Sequence, residues 1–200
     1  MPAEPKIVPA NEASWDDLQA VFGTRGDTSR CWCQRFKMAP GESWRSVGAA
    51  GHARRLREQT HCGHPESGTT SGLVAYLDGE PVGWCAVEPR TAYPRMLRNN
   101  RVPWDGRDED KSDDSVWAVS CFVARAGFRR RGIGHALARA AVDFARERGA
   151  RALEGYPMLS PSGQTSAGEL HVGTRSMFAD AGLAEVNRPT LRRVVMRIDF

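Results

Sequence analysis

The sequence predicts one α/β domain over residues 1–200, built on a mixed, mostly antiparallel sheet of six to seven strands with helices on both faces. Three stretches carry this prediction. Residues 72–77 and 81–87 flank Asp78-Gly79, the dipeptide that a two-residue hairpin turn favours. Residues 116–149 read as an uncharged strand, an arginine-rich loop and an amphipathic helix. The C-terminal part then supplies strand, helix and strand. A hairpin followed by strand–helix–strand gives a mixed sheet covered on two sides.

Residues 6–9 suit a short first strand. Ser14-Trp15-Asp16-Asp17 has the form of a capping box with Asp at its last position, and the helix after it turns Trp15, Leu18, Val21 and Phe22 inward. Residues 23–30 form a loop that leads into Cys31-Trp32-Cys33-Gln34-Arg35-Phe36. A second helical region covers about residues 42–59, weakened by Gly48 and Gly51. Residues 60–71 and 90–114 are the most irregular stretches. From 116 to 124 every residue is β-branched, aromatic or small, as an interior strand requires. After Gly132-Ile133-Gly134, the residues Ile133, Leu137, Ala140, Ala141 and Phe144 recur on one helical face, and Gly149 closes the helix. Residues 151–158 read as a strand, 174–181 as a short helix ended by Gly182, and 191–200 as a last strand.

Composition narrows the function classes. Apolar residues make up 40% and charged residues 26%, with no apolar run of membrane-spanning length, so no membrane partner is expected. The N-terminus lacks a signal-peptide pattern, and the five cysteines are odd in number, with Cys85 and Cys121 in predicted core strands. A cytoplasmic protein with free thiols is expected. The formal charge of +4 is spread among 24 acidic and 28 basic residues, without the basic face and interleaved aromatics of a nucleic-acid binder. Cys31, Cys33, His61, Cys62 and His64 offer metal-ligand atoms, but Cys-x-Cys is tighter than the usual knuckle and a helix separates the two groups. They read as packing or pocket residues, and no metal is expected.

The chemistry centres on Arg129-Arg130-Arg131-Gly132-Ile133-Gly134. A helix that opens on small residues presents free N–H groups and positive dipole to an anion, and the arginines add charge at the same place. His135 after Gly134 excludes the Walker Gly-Lys-Ser/Thr pattern, and Leu137 occupies the third small position of the dinucleotide fingerprint. What remains is a pyrophosphate cradle of the form Arg-x-x-Gly-x-Gly.

In this setting the motif resembles the acyl-CoA loop of the GNAT superfamily of N-acyltransferases. The order of elements resembles that fold from about residue 6 to 200, and Ser176-Met177-Phe178-Ala179-Asp180-Ala181-Gly182-Leu183 looks like its looser C-terminal Tyr-x-x-x-Gly-Phe segment. The resemblance implies a splayed parallel strand pair whose exposed backbone, here Phe122, Val123 and Ala124, pairs with the pantetheine of acetyl-CoA. It implies pyrophosphate bound by Arg129, Arg130, Arg131, Gly132, Ile133 and Gly134, with Arg131 a side-chain partner. The implied reaction is direct acetyl transfer to an amine of a small molecule or protein; homodimers are frequent among such proteins.

Three positions depart from the family pattern. The general-base Glu of the central strand falls on Ala118, the general-acid Tyr on Phe178, and the proline after the strand on Ala126. Another residue then substitutes, water relays the proton, or the protein binds CoA as a weak catalyst or sensor. Glu154 and Tyr156, two apart on the strand beside the splay, are the first candidates, because burial would raise the pKa of a carboxyl there; a structural ion pair and a core tyrosine are the alternatives. Glu88 and His171 are further candidates, while Ser120 and Cys121 read as core. Trp32, Trp44, Tyr93 and Trp104 are candidates for the acceptor pocket.

Overall fold

The structure, a computed structural model, describes residues 4–159 and 170–200. Seven strands form one sheet: β1 (Lys6–Pro9), β2 (Gly72–Leu77), β3 (Glu80–Pro89), β4 (Val116–Ala124), β5 (Ala152–Gly155), β6 (Ala184–Thr190) and β7 (Arg193–Asp199). Their spatial order is β1-β2-β3-β4-β5-β7-β6, and only β4 and β5 run parallel. The β2–β3 turn is the predicted one. Asp78 and Gly79 both have positive φ (52° and 82°), the pair of left-handed conformations a type I′ turn needs.

The helices are α1 (Trp15–Phe22), α2 (Thr28–Cys31), α3 (Trp44–Thr60), α4 (Pro94–Asn99), α5 (Ile133–Glu147) and α6 (Arg175–Asp180). Ser14 caps α1 through the predicted box: its hydroxyl accepts from the Asp17 N–H at 3.1 Å and Asp17 accepts from the Ser14 N–H at 3.0 Å. Gly48 breaks α3 with non-helical φ/ψ (68°, 166°). The α5 stripe buries Ile133, Leu137, Ala141 and Phe144 with Val119, Phe122 and Leu153 on one face of the sheet. On the other face Phe22, Trp32, Val74, Trp84 and Cys121 form a second core. None of the described helices is long and apolar enough to cross a membrane.

Two local features of β4 position the cavity and the charged groups around it. Its parallel pairing with β5 runs from Val116↔Ala152 to Val119↔Gly155 and stops, although β4 continues to Ala124. The strands separate there, so among the described residues the β5-facing edge of β4 has no strand partner beyond Val119. Ser120 is also an extra residue: Cys121 pairs with Ala86 but Val119 pairs with Val87, so β4 bulges between them. The bulge sets a cross-strand row on one face, in which Glu88 lies opposite Ala118, Ala118 beside Glu154, and Glu154 opposite Arg197.

Strand β6 and helix α4 fall where the sequence shows no periodic signal. Strand β6 is an edge strand with no buried residue, and its Val186 is 48% exposed, so burial imposes no alternation of apolar residues on it. Helix α4 lies inside the insertion at residues 90–114 and begins at Pro94 as its first helical residue.

Candidate active site

A cavity of about 1220 Å³ runs along the open edge of β4. Phe122, Val123 and Ala124 line one stretch of it, and Arg129, Arg130, Gly132, Ile133 and Gly134 continue the wall into the start of α5. Of the nine residues expected to hold acetyl-CoA, eight therefore meet on this surface. Arg131 does not line it; its guanidinium stacks on Phe128 at 5.2 Å from the ring centre, next to Arg125 at 5.5 Å. Phe128 itself lines the cavity, so the cation–π contact holds the Arg131 side chain beside the wall.

The loop geometry explains why the sequence there is glycine-rich. Arg130 and Gly132 both have positive φ (61° and 77°), and Gly132 is the N-cap of α5 without any side chain capping the helix. The first intrahelical bond runs from the Ala136 N–H to the Gly132 carbonyl at 3.0 Å, so the N–H groups of Ile133, Gly134 and His135 precede the hydrogen-bonded turns. Gly134 is tight for a different reason. A Cβ there would come within 2.7 Å of the Met177 methyl, the far end of a flexible side chain. An uncapped helix start, two arginines and the open strand edge fit an extended ligand with an anionic segment.

The rest of the cavity is lined mainly by the α1–α2 connection and by residues between α2 and α4. Phe22, Asp27, Cys31, Cys33, Arg35, Trp44, Arg95 and His171 contribute. Burial pushes the Cys31 thiol up to about 11 and the Cys33 thiol well above its ordinary value, so both stay protonated at neutral pH and are poor nucleophiles. Of the four aromatic residues expected around an acceptor, Trp44 alone lines the cavity. Trp32 stacks between Trp15 and Phe22, Tyr93 is buried, and Trp104 packs against Arg90. Among the described residues no group of three or more His, Cys, Asp or Glu side chains is arranged to hold a metal ion.

Glu154 and Tyr156 do not line the cavity. Glu154 is fully buried in an ion cluster, with Arg107 at 2.5 Å, Arg197 at 2.8 Å and Arg90 at 3.3 Å. Its remaining contact is the Tyr156 hydroxyl, which donates to it at 2.7 Å. Burial works to raise the Glu154 pKa, but the hydrogen bond and charge of Arg107, the Tyr156 hydroxyl and Arg90 together bring it below its ordinary value. The expectation of a raised pKa is corrected: a carboxylate gripped by three guanidinium groups stays ionised. Phe178, at the position of the expected tyrosine, is buried against Gly155 and Phe122. None of the three tyrosines of the chain lines the cavity.

Glu88 stands in the opposite state. It lies directly across from Ala118, on the other side from Glu154, and its side chain is 15% exposed. Burial pushes its pKa up to about 7, with the charge of Lys37, its ion-pair partner, holding it from rising further. Fully buried Tyr93 adjoins it, and burial, then the Glu88 charge, keep the Tyr93 hydroxyl protonated. The row Glu88–Ala118–Glu154 therefore carries two carboxyl groups with pKa values driven apart. One row further along the same face is Cys121, which does line the cavity.

The sequence model of the acetyltransferase (GNAT) family matches residues 37–156, from Lys37 through β4 and α5 to Tyr156. No curated protein matches the sequence. Similar solved structures include an N-acetyltransferase from Staphylococcus aureus Mu50 (12% identity, 98% of this chain and 99% of that one, TM-score 0.53). A ribosomal-protein-alanine N-acetyltransferase from Brucella melitensis is 17% identical over 98% of this chain and 99% of that one, with TM-score 0.53. The PaiA N-acetyltransferase from Thermoplasma acidophilum, solved in complex with coenzyme A, is 12% identical over 99% and 100% of the two chains, with TM-score 0.50. At these identities the likeness is one of fold.

Proposed function

Because the chain belongs to the acetyltransferase (GNAT) family, we propose that it moves an acetyl group from acetyl-CoA directly to a primary amine of a small molecule or protein. One observation carries the reading: the open edge of β4 beyond Val119 and the uncapped start of α5 lie on one continuous cavity wall. Phe122, Val123 and Ala124 are the backbone partners for pantetheine, and the 129–134 loop is the partner for pyrophosphate. The protonated state of Cys31 and Cys33 supports direct transfer over an acyl-cysteine route.

Glu88 is the proposed base. The amine must lose a proton to attack, and a carboxyl with pKa near 7 is half ionised where it is needed and still basic enough to accept it. Its position across from Ala118 puts the carboxylate on the neighbouring strand of the same face, and the proton travels to it through water from the cavity beside Cys121. Phe178 supplies no proton to the departing thiolate. A thiol pKa of about 8.5 makes thiolate a fair leaving group that takes its proton from solvent. The five free cysteines favour a reducing compartment, and the cytoplasm is the proposed location.

Incubation of the protein with acetyl-CoA and a panel of amines, following free CoA by thiol titration, tests this directly. Amine-dependent release of CoA is expected. Thermal stabilisation by CoA without turnover on any amine would favour a CoA-binding protein of the same fold instead.

A further inference from the structure

Trp44 is the first residue of α3, lines the cavity and is 39% exposed, although its place in the sequence suits burial. Trp44, Gly48, His52, Leu56 and Thr60 follow one another at intervals of four, and the last three are buried. An unbroken helix would carry Trp44 on that inward stripe. The break at Gly48 (φ 68°, ψ 166°) takes the first turn out of it. Such a backbone conformation is essentially reserved for glycine, so the redirected turn is written into the sequence.

The turn is held where it stands. Ser43 caps it by accepting from the Ser46 N–H at 3.1 Å, and Glu42 accepts from Arg55 of the helix body at 2.9 Å. The Trp44 and His52 rings pack edge to face, with centres 4.6 Å apart, and His52 Nδ1 donates to the Arg30 carbonyl at 2.9 Å. The indole is thereby fixed beside α2, whose Thr28, Arg30 and Cys31 line the same cavity. Phe22, Cys33, Cys121 and Val123 line it too, and all four belong to the second core. Cys121 and Val123 lie on β4 beyond Val119, so this apolar surface reaches the open edge of the strand.

Charge excludes one kind of guest. Among the described residues six arginines line the cavity against one carboxylate, Asp27, which is paired with Arg30 at 2.9 Å. A second ammonium group on the acceptor would meet like charge and no free carboxylate. We propose that Trp44 determines acceptor specificity, and that the acceptor is a small monoamine with an apolar body. That body lies between the indole and the surface of Phe22, Cys33 and Cys121, while the amine points toward the open edge of β4. An aromatic wall over an apolar floor gains from apolar area removed from water and from ring contacts. This acceptor class rests on the acetyl-transfer reading, so binding and turnover are measured separately.

The test uses the full chain saturated with CoA at constant ionic strength, with amine binding read by thermal shift. Ethylamine, propylamine, butylamine and benzylamine form a ladder, and 1,4-diaminobutane is the dicationic counterpart of butylamine. Affinity is expected to rise about fourfold per added CH2 group, with benzylamine binding best and the diamine worse than butylamine. In Trp44→Ala the apparent Kd for benzylamine is expected to rise about tenfold, with CoA affinity unchanged, and Trp44→Phe to restore most of it. In turnover with acetyl-CoA the loss falls on KM for the amine. A flat ladder, a preference for the diamine, or unchanged benzylamine binding in Trp44→Ala would each overturn the proposal. So would a matching loss of CoA affinity, which would assign Trp44 to the CoA site. A steep ladder without acetyl transfer would keep the pocket and reject the transfer reading; transfer with a flat ladder would do the reverse.

Discussion

Replacing Glu88 by glutamine is expected to lower kcat for acetyl transfer by about 10²- to 10⁴-fold, the usual contribution of a positioned general base, while acetyl-CoA affinity stays as it was. The side chain is isosteric and does not line the cavity, so binding is unaffected and only proton removal fails. The pH profile separates this from a structural effect. With a folded pKa of about 7, Glu88 is protonated and inactive below that value and ionised above it, so kcat/KM of the wild-type protein rises with pH through about 7. Glu88→Gln removes that limb and leaves only the limb belonging to the substrate amine at higher pH. Lys37→Met takes away the charge that holds the Glu88 pKa down and moves the limb to higher pH. Unchanged kcat in Glu88→Gln would remove this residue from the mechanism.

Glu154→Ala is expected to destabilise the fold by about 3–5 kcal/mol, the range for breaking a buried ion cluster by removing one partner. Three guanidinium groups from the 90–114 insertion and β7 share Glu154 and Glu109, and without Glu154 a single carboxylate is left to face their three charges. Urea unfolding followed by tryptophan fluorescence measures the loss. The pH dependence has a definite sign. Because the folded pKa of Glu154 lies below its unfolded value, its contribution is full above about 4.3, the ordinary carboxyl pKa, and is lost as pH falls through the lower folded value. Wild-type stability is therefore expected to fall on acidification below about pH 4, with a shallower decline in Glu154→Gln. A Glu154→Ala protein of wild-type stability would show that the cluster contributes nothing net.

The architecture was legible wherever one face of an element is buried. The β4 bounds, the Asp78-Gly79 turn, the Ser14 box and the α5 stripe all arise from burial or local turn chemistry, and the structure reproduces them. Strand β6 was not legible, because an edge strand without buried residues has no pattern to display. The site divides in the same way. The glycine–arginine loop is a local motif and declares itself in the sequence. The proposed base, Glu88, is a matter of register. Without the extra residue at Ser120, Glu88 would face Val119 and not Ala118, and a bulge of one residue is invisible to periodicity. Glu154 did carry a signal, a carboxylate inside an apolar strand, but its arginines come from elements 43 to 64 residues away, joined to it only by the β5–β7 register and the insertion.

The most direct measurement of the central claim is calorimetric titration of acetyl-CoA into the wild-type protein and Gly134→Glu. A Cβ at this position meets only the flexible end of Met177, so the variant is expected to keep the fold, which circular dichroism checks. It also sets a carboxylate at the helix start proposed to hold the pyrophosphate. Saturable binding by the wild-type protein and none by the folded variant is the expected result. Equal affinity in the two proteins would contradict the cradle, and with it the assignment of this cavity to acyl-CoA.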